Sequence, residues 1–193
     1  QLPNSCLHLT RYLPRKATDM ATLAVTTEHD AFLPFVEADV FTVTEVHAAQ
    51  RITDAVFKDS QIDPVFLDYL SVAIAVWAPV NGHVCIDLAN VQQQIRDEVG
   101  SSNENIDPLL QAQLDWPEMS AWVNHLAKSP LVSVPQPGKL DDVDYTKPLV
   151  LFDNLLYLTR QWVDEGTVST ALRMRLAASA TPLPANADSW VSE

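Results

Sequence analysis

The chain has 193 residues, 47% of them hydrophobic, which is enough for one domain with its own core. Its 25 acidic residues against 12 basic ones give a formal charge of -13, so its field repels phosphate backbones and disfavours a broad nucleic-acid surface. Only 4 glycines accompany 13 prolines, which leaves little backbone for a glycine-cradled phosphate site.

Residues 1–27 show no sustained periodicity and read as an N-terminal extension carrying the basic cluster Arg11, Arg15 and Lys16. A short helix is expected over 30–38, with Phe32, Phe35 and Val36 on one face and Pro34 in its first turn. Thr42 and Glu45 stand three apart as in a capping box, and Val43, Val46, Ala49, Ile52 and Val56 then mark an apolar stripe opposite Gln50, Arg51 and Asp54. Asp63-Pro64 reads as a cap with proline at the first helical position. The stretch behind it, 65–77, is apolar nearly all round, so it is the expected central helix, ending before Pro79.

A turn at Asn81-Gly82 leads into a short extended segment through His83, Cys85 and Asp87. Leu88, Val91 and Ile95 outline the next helix, with Asp87 as its cap and Gly100 as its close. Residues 101–107 read as a polar loop. Asp115 and Glu118 again look box-like, ahead of a helix with Met119, Trp122, Val123 and Leu126 inward. Prolines at 130, 135 and 137, Gly138 and the acids Asp141, Asp142 and Asp144 make 129–147 a surface loop. Two apolar runs, 149–152 and 155–158, flank Asp153-Asn154, residues that tolerate the positive φ of a two-residue hairpin. Trp162, Glu165, Val168 and Leu172 then recur at helical spacing, so hairpin and helix together are expected to close the domain. Residues 178–193 have linker composition, with Pro182 and Pro184. The fold class is mainly α with a small β-hairpin, over 28–177.

Catalytic motifs are lacking. The Gly138-Lys139 pair is followed by Leu140, and Ser133 stands where a phosphate loop needs its first glycine. There is no Gly-x-Ser-x-Gly elbow. His83, Cys85 and Asp87 alternate and would share a strand face, the start of a metal site, but no fourth ligand is in view, so the reading is a thiol beside a hydrogen-bonded histidine and a helix cap. The tryptophans Trp77, Trp122 and Trp162 fall at apolar positions, as core or interface anchors. No catalytic, cofactor-binding or metal-ligating residue is assigned. Cys6 and Cys85 make no disulfide framework and no apolar run reaches the roughly 20 residues of a membrane span, so a cytoplasmic chain is expected.

Two segments in order carry a resemblance: Gly82-His83-Val84-Cys85 before a helix, and Tyr157-Leu158 followed by Arg160, Trp162 and Glu165. They resemble the N-terminal domain of RecD, the alpha chain of exodeoxyribonuclease V, and the helix bearing Val46-His47-Ala48-Ala49 resembles its actinobacterial members. Asn154 and Leu155 replace the Asp-Arg usual in the family's hairpin, and Gln161 stands where an aromatic residue or methionine is usual. The resemblance implies the helical front domain of a superfamily 1 helicase subunit. ATP and Mg would then belong to motor domains outside this sequence. It implies docking onto a RecC-like gamma chain beside a RecB-like beta chain, with DNA reached through the full complex and no membrane. Two alternatives stay open: an accessory module that guides single-stranded DNA with Arg11, Arg15, Lys16, Arg160, Arg173 and Arg175, and an unrelated regulatory helical domain.

Overall fold

The computed structural model describes residues 27–102, 114–136, 138–140 and 142–178. Residues 1–26 of the expected N-terminal extension, with Arg11, Arg15 and Lys16, 103–107 of the expected polar loop, and the tail from 179 lie outside the described residues, whereas Thr27, Ser101 and Ser102 are helical. Among the described residues are six helices and four strands.

Helix α1, Thr27–Glu37, starts earlier than expected, so Pro34 lies inside it and not in its first turn. Proline has no N–H to offer the preceding turn, and burial of Phe32 and Phe35 holds the helix through that gap. Asp39, at φ 54°, ends it. The Val40 N–H reaches the Phe35 carbonyl at 2.9 Å and the Asp39 N–H the Val36 carbonyl at 3.1 Å, the paired bonds of a Schellman close. Helix α2, Val43–Phe57, opens on the expected capping box of Thr42 and Glu45. Its buried stripe is Val46, Ala49, Thr53 and Phe57, with Ile52 and Val56 at the edge. Val43 is not part of that stripe: at the helix mouth it is 57% exposed.

Helix α3, Phe66–Val80, is buried from Asp68 through Ala75 without a break. Its start differs from the expected Asp63-Pro64 cap. Asp68 reaches back instead, accepting the Val65 N–H at 3.1 Å, so Val65 is the cap residue. The helix also runs past Pro79, because a proline in the last turn forfeits one bond only and the turn is closed from beyond.

Strand β1, Cys85–Asp87, follows, and then α4, Val91–Ser102. Gly100 does not close α4: it lies within the helix, and its φ is not in the left-handed region that a closing glycine uses. Asp87 orders the turn ahead of α4, accepting the Ala89 N–H at 2.9 Å and the Asn90 side chain at 2.6 Å. Helix α5, Met119–Leu126, is capped by Glu118 alone, which accepts the Ser120 and Ala121 N–H groups. Trp122 and Leu126 are buried, whereas Met119 turns outward at the cap.

The stretch 129–147 is more than a surface loop. Leu131, Val132, Ser133, Pro135 and Val143 are buried, and β2, Val132–Ser133, pairs in parallel with β3, Leu149–Phe152. The expected hairpin of β3 and β4, Leu155–Leu158, forms with Asp153 at φ 54°. It is the centre of a four-stranded sheet in the order β1-β4-β3-β2. Sheet residues alternate between two faces. Ile86, Leu149, Leu151 and Leu156 join the main core around α3, while Cys85, Val150, Leu155 and Tyr157 join a smaller cluster on the outer face. Helix α6, Thr159–Ala177, contributes no buried residue, so it does not close the domain as its periodicity suggested.

Thr53 is fully buried on α2 and its hydroxyl has no hydrogen-bond partner among the described residues. Replacing it with valine removes a desolvated hydroxyl at constant shape, so Thr53→Val should raise the unfolding free energy by roughly 1 kcal/mol. An unchanged or lower urea midpoint would refute this account of the site.

Candidate functional site

The segments singled out in the sequence meet at one edge of the sheet. Gly82 takes φ +81° immediately after α3, donating its N–H to the Pro79 carbonyl at 3.3 Å, while His83 donates to the Ala78 carbonyl at 2.9 Å. That is a second Schellman close, and glycine suits it because a side chain there strains the backbone. His83 then stacks on Trp77, with ring centroids 5.8 Å apart and planes 16° apart, and its Nε2 lies 3.1 Å from Glu98 Oε1 on α4. One turn thus ends α3, aims β1 and fastens α4.

Val84 is half exposed, and Cys85 pairs across the sheet with Tyr157. Burial pushes the Cys85 thiol above its ordinary value; the Tyr157 hydrogen bond pulls it down, and the carboxylates of Glu165 and Asp87 push it up again. Burial also drives the Tyr157 phenol far above its ordinary value, reinforced by the hydrogen bond with Cys85 and by Glu165. Trp162 stands edge-on to Tyr157 at 5.1 Å and tilts over Phe152 at 5.7 Å. Cys85, Tyr157, Trp162 and Glu165 therefore form one cluster joining β1, β4 and the root of α6. Arg160 stays apart, exposed and 3.9 Å from Asp164.

This arrangement does not assemble a metal site. His83 faces Glu98, Asp87 faces Ala89 and Asn90, and Cys85 faces Tyr157. Among the described residues no group of three His, Cys, Asp or Glu side chains could hold a metal ion. A second polar cluster joins residues far apart in sequence, and nothing local in the sequence signals it. Asp68 Oδ1 accepts from the Ser129 hydroxyl at 2.8 Å and lies 3.0 Å from His125 Nε2; Ser71 Oγ donates to the Leu67 carbonyl at 2.6 Å and accepts the Trp122 indole N–H at 2.7 Å. Serine, histidine and aspartate come together here, but Ser129 and His125 both face the carboxylate. In a nucleophilic triad the serine must instead face the histidine.

A family model described as the N-terminal domain of the RecBCD enzyme subunit RecD matches residues 37–157. The chain belongs to this family. It is 34% identical over 131 residues to the RecBCD enzyme subunit RecD of Mycolicibacterium smegmatis, covering 68% of this chain and 18% of that relative. It is 30% identical over 139 residues to the RecBCD enzyme subunit RecD of Mycobacterium tuberculosis, covering 72% of this chain and 19% of the relative. The chain thus spans less than one fifth of the length of these curated relatives. Both are mycobacterial, in keeping with the actinobacterial likeness of α2. Within the RecD match lie Gly82, His83, Val84, Cys85 and Tyr157, whereas Arg160, Trp162 and Glu165 fall just beyond its end. No helix among the described residues is long and apolar enough to cross a membrane.

Two outcomes follow for this RecD domain. Open space surrounds the Gly82 Cβ position, so Gly82→Ala should suffer only the left-handed backbone penalty, about 1–2 kcal/mol by chemical denaturation. Gly82→Asn should lose less, because asparagine tolerates that region, and equal losses would contradict the Schellman assignment. Cys85 and Tyr157 both hold their protons more tightly folded than unfolded. Their stabilisation is therefore complete below the ordinary values of 9.0 and 10.0 and is lost as pH rises through the raised ones. Stability should fall above about pH 9, and Tyr157→Phe should flatten that fall. An identical alkaline slope in the variant would show that the phenol does not drive it.

Proposed function

We propose that this chain is the non-catalytic docking domain of a RecD-type alpha subunit, fastening that subunit to its RecC-like gamma chain within a complex that includes a RecB-like beta chain. The relatives are subunits of the RecBCD enzyme by name. In this reading the helicase and nuclease chemistry of double-strand-break repair, with its ATP and Mg, belongs to the polypeptide beyond this domain and to the partner chains.

The observation that carries the reading is a cleft of about 420 Å³ at the junction of α2, α3 and α5, lined by Phe57, Ile62, Val65, Ala121, His125 and Pro130. Ile62 is 67% and Val65 49% exposed there, next to the polar groups of Asp63, Asn124 and Lys128. Apolar anchors within a polar rim are what a protein interface requires. The polar clusters behind it serve as joints between elements. A DNA-guiding role has less support, since Arg160 pairs with Asp164 and Arg173 and Arg175 lie about four turns away from it.

Ile62→Asp combined with Val65→Asp, in the full-length subunit, should reduce co-purification with the gamma chain at least tenfold while circular dichroism stays unchanged. Wild-type recovery of the complex would remove this cleft from the interface. Full assembly by a subunit lacking residues 27–178 would remove the docking role itself.

A further inference from the structure

Helix α6 begins two residues after the family match ends at Tyr157. Its 19 residues span about 28 Å. Among the described residues only its root is anchored: the Thr159 N–H donates to the Pro148 carbonyl at 2.9 Å, the Thr159 hydroxyl donates to the Lys147 carbonyl at 2.6 Å, and Trp162 rests on the sheet. The rest stands free of the core.

At about 100° per residue, α6 has two apolar edges. On one, Val163, Thr170 and Met174 wall a groove of about 470 Å³ with Leu140 and Tyr145. On the other, Val168, Leu172 and Leu176 follow at four-residue intervals and are 59%, 53% and 86% exposed. A surface helix has one apolar stripe. Among the described residues nothing covers Val168, Leu172 or Leu176 and the other edge borders an open groove, so an otherwise polar helix exposes two apolar edges.

The occupant is identified by length and charge. The family is an N-terminal domain whose match ends just before α6, and the chain covers less than one fifth of its relatives, so most of the relatives' polypeptide lies beyond that domain. A segment joined in cis to α6 meets it at an effective concentration on the order of millimolar, before any separate molecule can compete. A second copy is disfavoured because each copy carries a formal charge of -13. We infer that α6 is a seam helix, whose two apolar edges are covered by the polypeptide that follows residue 178 in the same subunit. This surface is distinct from the cleft at Ile62 and Val65, and its occupant is not a partner chain.

Hydrogen exchange on the isolated full-length subunit tests this, with no partner chain present. Amides of residues 166–176 should be protected to nearly the level of α3, at all protein concentrations. Leu172→Asp with Leu176→Asp should speed their exchange at least a hundredfold and leave α3 protected, because α6 contributes no buried residue to the core. Free exchange of α6 in the isolated subunit, with protection appearing only when the gamma or beta chain is added, would overturn the inference. So would protection that grows with protein concentration, which would indicate a second copy, or loss of α3 protection in the variant, which would make α6 part of this domain's own core.

Discussion

A helix buried on every side cannot leave a polar atom to water, and α3 is such a helix from Asp68 to Ala75. Three side chains in that run carry polar atoms, and each becomes a joint: the Tyr69 hydroxyl donates to Asp54 Oδ1 at 2.8 Å, which ties α3 to α2. Ser71 bridges the Leu67 carbonyl to the indole of Trp122, which fixes α5 against α3. Asp68 gathers the Val65 N–H, the Ser129 hydroxyl and the His125 ring, which fixes the start of α3 and the segment leading to β2. The inner face of the sheet, through Ile86, Leu149, Leu151 and Leu156, then shares one core with α3. Removing a member of these joints leaves a buried donor or acceptor without a partner, which is costlier than the net worth of the bond it made.

The same accounting explains why a serine, a histidine and an aspartate in contact do not amount to chemistry. Ser129 is 6% exposed, and its proton points at a carboxylate that already serves Val65. A nucleophile needs reach to substrate and a base aimed at its own proton. Here the histidine is aimed at Asp68, so the three residues hold elements together.

Legibility in the sequence followed the range of the interaction. The capping box of Thr42 and Glu45, the Asp153-Asn154 turn and the apolar run of α3 depend on neighbours a few residues away, and each formed where the pattern placed it. Pro79 and Gly100 lie inside their helices and Met119 turns outward, because tertiary contacts, which local rules about helix ends do not contain, set those ends. Strand β2 is two residues long within a proline-bearing stretch, and only its pairing with β3 defines it. The joints at Ser71 and Asp68 link residues 51 to 61 positions apart, with no local trace. Gly82 sits between these cases. A glycine just past a helix is a recognisable closing signal, but its left-handed φ and the stacking of His83 on Trp77 show that it ends α3 and does not merely precede a strand.

Helix α6 shows a different limit of periodicity. Apolar residues at helical spacing state that a helix needs a partner, without saying where the partner is. The outer-face cluster settles the helix's direction: Tyr157 is held beside Cys85 by the pairing of β4 with β1, and Trp162 wedges between Tyr157 and Phe152. Because β1 is itself aimed by the glycine close of α3, the buried helix determines, through one turn and one strand pair, the line along which α6 leaves the domain. A substitution at Trp162 would therefore act on that line of exit far more than on the core, since no residue of α6 is buried in it.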